Sequence, residues 1–190
     1  FLDKLGVEYD CPLETGAIAY LEGQSNHTIA FRADIDALPI FEENDIDYRS
    51  KTDNVMHACG HDIHMASILA TGTQLKEIED ELNGRVRLIF QPAEELGHGA
   101  FEIINTGVLK GAKAVLGFHN YPTLKVGEFA IKSGAITSAV DRFEFNVKGK
   151  GAHAAKPEQG NDPVIVVGQL INSLQTIVSR NLSAFDSAVV

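Results

Sequence analysis

Hydrophobic and polar positions alternate between two rhythms along this chain. Met65, Ile68, Leu69, Leu75, Ile78 and Leu82 recur at helical spacing among Gln74, Lys76 and Glu79. That spacing predicts an amphipathic helix of about five turns, closed by Asn83-Gly84. Three short β-prone runs bracket it: Thr28-Ile29-Ala30-Phe31-Arg32, Val86-Arg87-Leu88-Ile89-Phe90 and Ala114-Val115-Leu116-Gly117-Phe118. A shorter helix is expected from Ala100 to Asn105, because Gly107 follows it. Strand, helix, strand, helix, strand requires crossover connections. The expected fold class is therefore α/β, with a mainly parallel sheet flanked by helices.

The rhythm changes after about Lys132. Phe143, Phe145 and Val147 alternate with Glu144, Asn146 and Lys148, the period-2 signature of a strand with one wet face. Gly149-Lys150-Gly151-Ala152-His153 breaks that run. Asn161 or Asp162 can then cap a helix with Pro163 in its first turn, continuing through Ile165, Val166, Leu170, Leu174 and Ile177. Two domains are expected: 1–132, and 133–190 as the opening of a smaller α+β domain. Both ends of the sequence read as cut, with Phe at position 1 and Ala188-Val189-Val190 at the close.

Composition narrows the function classes. The 190 residues carry 16 Lys plus Arg against 26 Asp plus Glu, a formal net charge of −10. That balance argues against a phosphate-binding surface for nucleic acid. No apolar run approaches the roughly 18–20 residues of a membrane span. Two cysteines, Cys11 and Cys59, are too few for a disulfide framework and fit a reducing, cytoplasmic setting. There is no Gly-x-Ser-x-Gly elbow, phosphate-binding Gly-Lys-Ser/Thr loop or dinucleotide glycine fingerprint.

Each predicted strand runs into residues able to bind a cation or move a proton. In open α/β sheets such strand endings converge on a ligand site. His57-Ala58-Cys59-Gly60-His61-Asp62-Ile63-His64 packs three imidazoles, a thiol and a carboxylate into eight positions. Thiolate and neutral imidazole suit zinc-like ions, and Gly60 lets the backbone fold close to one. No second Cys or His pair lies at zinc-finger spacing. Gln91-Pro92-Ala93-Glu94-Glu95 offers adjacent carboxylates, one able to ligate and the other to take a proton from water; an acidic pair favoured by a helix N-terminus is the plain alternative. His119 follows the third strand. Asp34-Ile35-Asp36 could supply a carboxylate that orients a ligating imidazole, or two solvated acids. His153 sits among small residues that leave its ring accessible, although a loop histidine is the commoner case.

Taken together, Phe31-Arg32-Ala33-Asp34-Ile35-Asp36-Ala37-Leu38-Pro39-Ile40, Met56-His57-Ala58-Cys59-Gly60-His61-Asp62, Phe90-Gln91-Pro92-Ala93-Glu94-Glu95 and Gly117-Phe118-His119 resemble successive signatures of the M20 metallopeptidase family. They most resemble its amidohydrolase branch of hippurate hydrolases, N-acetyl-diaminopimelate deacetylases and auxin-conjugate hydrolases. Gly151-Ala152-His153-Ala154-Ala155 through Gly160-Asn161-Asp162-Pro163 resembles the start of that family's lid or dimerisation domain.

The resemblance implies a zinc-exopeptidase-like catalytic domain over 1–132 and the beginning of a lid over 133–190. It implies Cys59, His61, Glu95 and His119 as ligands of two divalent ions, manganese or zinc, with Glu94 as general base. Asp36 would orient or polarise a ligating imidazole. His153 would reach a partner subunit's active site in a homodimer and steady the substrate's carbonyl oxygen. A fifth family ligand, a C-terminal histidine, has no counterpart here, so the chain is expected to be part of a protein about twice its length. The implied activity is hydrolysis of an N-acyl amino acid or similar small amide by metal-activated water. The alternatives are a metal- or acyl-amino-acid-binding paralogue without catalysis, an inactive fragment of such an enzyme, and a structural metal staple.

Overall fold

The computed structural model covers residues 1–190, and it divides into two compact units, Phe1–Phe129 and Ala130–Val190. In the first unit, α1 (Leu2–Leu5) leads into β1 (Glu8–Asp10), β2 (Ala17–Leu21) and β3 (Thr28–Asp34). Then follow α2 (His61–Glu77), β4 (Arg85–Gln91), α3 (Gly99–Asn105) and β5 (Ala112–Gly117). The sheet order is β1-β2-β4-β3-β5. β3 lies parallel to both β4 and β5, with Phe31 opposite Leu88 on one side and Leu116 on the other.

This parallel core is the one predicted from the three apolar runs. The sheet as a whole is mixed, because β2 pairs antiparallel with β4 and β1 antiparallel with β2. Neither strand announces itself by periodicity. β1 is three exposed residues, Glu-Tyr-Asp. β2 reads Ala-Ile-Ala-Tyr-Leu, five residues apolar on both faces, and so carries no alternation.

Burial follows the pleat. Ala19, Leu21, Leu88, Phe90 and Ala33 pack with Ile68 of α2 on one face. Ile18, Ile89 and Ala30 pack with Ile103 of α3 and Val108 on the other. Helices thus cover both faces, the layering that parallel strands need. The long helix is placed differently from its sequence signal. It starts at His61, directly after Gly60, and stops at Glu77; a 3-10 turn over Glu79–Glu81 finishes the apolar pattern. His61 and His64 therefore stand one turn apart on the same helix, and both are buried.

In the second unit, α4 spans Pro163–Thr176 with Asp162 as its cap: the Val164 N–H donates to Asp162 Oδ1 at 2.9 Å. The alternation over Phe143–Val147 does not produce a strand. A period-2 run becomes a strand only where another strand takes its backbone bonds. The only ladder contact in this unit is the bridge between Lys150 and Asn161, and Phe143 and Phe145 are exposed. No helix of the chain is long and apolar enough to cross a membrane.

Candidate metal centre

Because β3, β4 and β5 are parallel, their carboxyl ends open on one edge of the sheet, and the charged residues gather there. Past β3, the segment from Asp36 is tied to the segment before α2 by a bridge: Leu38 N–H donates to the Met56 carbonyl at 2.9 Å, and Met56 N–H donates back at 3.0 Å. Gly60 then turns the chain into α2 with φ +82°, a left-handed conformation open to glycine. Past β4, Ala93 takes φ +52°, and Gly99 passes so close to the Pro92 carbonyl that a Cβ would sit 1.7 Å from its oxygen. Glu94 and Glu95 project from that tight turn.

Six of the sequence-predicted residues meet here. Cys59 Sγ lies 3.4 Å from His119 Nε2. His61 Nε2 lies 3.8 Å from Glu95 Oε1 and 4.0 Å from Glu94 Oε2. The donor atoms of Cys59, His61 and His119 fall within 4.8 Å of one another, and so do those of His61, Glu94 and Glu95. Asp36 braces both sides: its carbonyl accepts from His61 Nδ1–H at 2.9 Å, and its Oδ2 accepts from the Glu95 N–H at 3.0 Å. His153 belongs to the second unit. There its Nδ1 accepts from the Ala155 N–H at 3.1 Å, which leaves the proton on Nε2.

The hydrogen bonds also set the tautomers. His61 donates through Nδ1 to the Asp36 carbonyl and His119 through Nδ1 to the Asn120 carbonyl, 2.8 Å away. Both rings therefore turn an unprotonated Nε2 into the cluster. His61 is 1% exposed, yet its Nε2 has no hydrogen-bond partner. An orphaned buried acceptor is costly, and facing a thiol and two carboxylates it is the atom a divalent cation would satisfy. Sulfur, imidazole and carboxylate donors together fit zinc, and the nitrogen and oxygen donors also fit manganese. Burial pushes the Cys59 thiol up to about 11, with Glu95, Glu94 and Asp34 adding to the rise. Cys59, Glu94 and Glu95 would be relieved of that crowding of negative charge by a bound cation, which would also favour the thiolate.

Behind the cluster lies a second layer, of which the sequence names Asp34 and His64 but not their partnership. Asp34 is buried, and its Oδ2 accepts from Arg32 Nη1 at 2.7 Å while its Oδ1 accepts from His64 Nδ1–H at 2.5 Å. Arg32 also donates through Nε to Gln91 Oε1 at 2.8 Å. Burial alone would raise the Asp34 carboxyl, but the His64 hydrogen bond and the Arg32 charge outweigh it and hold the group below its usual range. The signal for His64 was its spacing of three from His61; for Asn120 there was none. Beside the cluster opens a cavity of about 490 Å³, with Ile46, Val55, Met56 and Ile63 among the residues in its wall and Gly60 and Asn120 at the shared border.

The model of peptidase family M20/M25/M40 matches residues 30–186, and the chain belongs to that family. It is 50% identical over 179 residues to an N-acetylcysteine deacetylase of Bacillus subtilis, covering 94% of this chain and 47% of that protein. A second Bacillus subtilis protein, an N-acetyl-L-cysteine deacetylase, is 51% identical over 179 residues, covering 94% and 43%. Among solved structures, a dinuclear metal-binding M20 peptidase of Bacillus subtilis matches with a TM-score of 0.68 and 48% identity, over 70% of this chain and 38% of that one. A protein of methicillin-resistant Staphylococcus aureus matches at 0.79 and 35%, over 99% and 51%. The chain spans about half the length of the curated relatives it matches.

Proposed function

We propose that this chain carries the metal site of an amidohydrolase that removes an N-acyl group from an N-acyl amino acid or similar small amide. The observation that supports this most is the buried, unpartnered Nε2 of His61 facing two carboxylates, with the Cys59 thiol and His119 Nε2 beside it. Cys59, His61, Glu95 and His119 would hold two divalent ions, zinc or manganese. When bound, such an ion lowers the pKa of water from about 15.7 towards 7 and polarises an amide carbonyl. Glu94, the more exposed of the two acidic neighbours, takes the proton of the attacking water and returns it to the leaving amine. A module that only binds has no need of that free carboxylate. Asp36 keeps His61 in its Nδ1–H form and holds the Glu95 backbone.

In this reading, residues 1–132 form the catalytic domain and 133–190 begin a lid and dimerisation domain. His153, with its proton on Nε2, donates a hydrogen bond to the substrate carbonyl oxygen in the partner subunit of a homodimer. The two cysteines are both free, in keeping with a cytoplasmic enzyme. Since two relatives are named for deacetylation of N-acetylcysteine, N-acetyl amino acids are the first substrates to assay. The test is Glu94→Gln in the intact protein. Turnover should fall by about 10²–10⁴-fold, with metal content by elemental analysis unchanged. Wild-type turnover sinks the proposal. Loss of metal instead exchanges the roles of Glu94 and Glu95.

A further inference from the structure

We propose that His64 is a positioning residue for His119, acting through the backbone of Asn120; this rests on the metal-site reading above. His64 lies on α2, 1% exposed, and both its ring nitrogens are engaged. The Asn120 backbone N–H donates to Nε2 at 2.9 Å, and Nδ1–H donates to Asp34 Oδ1 at 2.5 Å. A peptide N–H has a fixed direction, so it settles which ring nitrogen is bare. The Asn120 side-chain amide, with Oδ1 2.8 Å from the same nitrogen, can turn its oxygen and nitrogen end for end and follows that choice. With no free lone pair, His64 is not itself a ligand.

The next link is the Asn120 carbonyl, which accepts from His119 Nδ1–H at 2.8 Å. Asp34 therefore orients His64, His64 fixes the Asn120 backbone, and Asn120 fixes both the tautomer and the direction of His119. The His64 ring also packs edge-on against His119, with centroids 4.7 Å apart. His119 needs such help because it is exposed on a loop, whereas His61 is buried in the first turn of α2. Losing an outer partner of this kind typically weakens metal binding by about 10–100-fold.

The experiment is a cobalt(II) titration of the intact metal-free protein, read by the sulfur-to-cobalt charge-transfer and d–d absorption bands. Thermal unfolding of each metal-free variant is measured alongside. His64→Leu should bind cobalt about 10–100-fold more weakly and shift the d–d band. In a His119→Ala background the same substitution should change affinity little, because the residue it positions is gone. Wild-type affinity in His64→Leu, or an equal loss in the His119→Ala background, overturns the inference and leaves the metal reading standing. Failure of the wild type to bind cobalt overturns both.

If His64→Leu does not fold, His64→Gln and His64→Asn carry the test. The glutamine amide oxygen reaches the place of Nε2 and can accept from the Asn120 N–H, while asparagine reaches only towards Asp34. Glutamine should bind cobalt within a few-fold of wild type and asparagine about tenfold more weakly. The reverse order, or no difference, overturns the proposal.

Discussion

Gly60 joins a backbone constraint to the chemistry of the site. Its φ of +82° lies where L residues are strained, and an added Cβ would come 2.4 Å from Asn120 Oδ1. We therefore expect Gly60→Ala to cost about 2 kcal/mol in urea unfolding and to weaken metal binding as Asn120 is displaced. Adding Asn120→Gly to Gly60→Ala should recover the steric part and leave about 1 kcal/mol of dihedral cost. A Gly60→Ala protein as stable as wild type would refute the strain. The same residues show what the sequence can and cannot reveal about a site. Cys59, His61, Glu94, Glu95 and His119 are legible because each follows a readable strand or precedes a readable helix, and parallel strands bring their ends together. The partnership of His64 with Asn120 is not, because it depends on a bond between residues 56 positions apart. Asp34 and Asp36 could be named as a pair, but not told apart. Only the fold shows that Asp36 engages His61 by its carbonyl while Asp34 engages His64 by its carboxylate.

Among the elements, α2 is visible from its apolar stripe, but the helix ends before the stripe does. Ile78 and Leu82 continue the spacing, but the chain leaves the α-helix after Glu77 and tightens into a 3-10 turn. The cause is tertiary. Glu79 Oε1 accepts from the Glu22 N–H at 2.9 Å, its other oxygen pairs with the Lys76 ammonium, and the Gln24 N–H donates to the Leu82 carbonyl at 2.8 Å. These bonds fasten the end of α2 to the segment after β2, a strand whose five apolar residues gave no period to read. Burial alone would raise the Glu79 carboxyl, but the Lys76 hydrogen bond, the Glu22 N–H and the Lys76 charge together lower it. A carboxyl held low in the folded state adds stability above its unfolded value, near 4.3, and that stability is lost as pH falls through the lowered value. Glu79→Gln should therefore be less stable than wild type by about 1 kcal/mol at pH 7. The gap should close in denaturant melts taken below the ordinary carboxylate range, and a gap independent of pH would show that Glu79 acts through packing alone. Phe143–Val147 is the opposite lesson, since there the period was clear and no partner strand was present to use it.

Over the whole molecule, the two units divide the chemistry. The donor cluster lies wholly within Phe1–Phe129, while His153 lies in Ala130–Val190 beside a hollow of about 500 Å³ lined by Ala152, Pro157, Asn161 and Pro163, among others. His153 is exposed, and its bond from the Ala155 N–H directs the ring's own donor, Nε2–H, away from the local backbone. Such a donor, held ready and lacking a hydrogen-bond acceptor, suits the developing negative charge on a carbonyl oxygen, a contact typically worth about 3–4 kcal/mol of barrier. If it serves the partner subunit's site in the proposed homodimer, subunits with different lesions should complement each other. On the proposed roles, Glu94→Gln protein would lack the base and His153→Ala protein the donor, so each homodimer should be nearly inactive on N-acetyl amino acids. Co-expressed, half of randomly formed dimers pair one subunit of each kind, and one of the two sites in each such dimer has both groups intact. The mixture should recover about a quarter of wild-type activity, and that fraction should scale with the heterodimer measured by native mass spectrometry. Activity in the mixture no greater than the sum of the two variants would show that His153 does not act across the interface. Full activity in His153→Ala alone would remove it from the substrate site altogether.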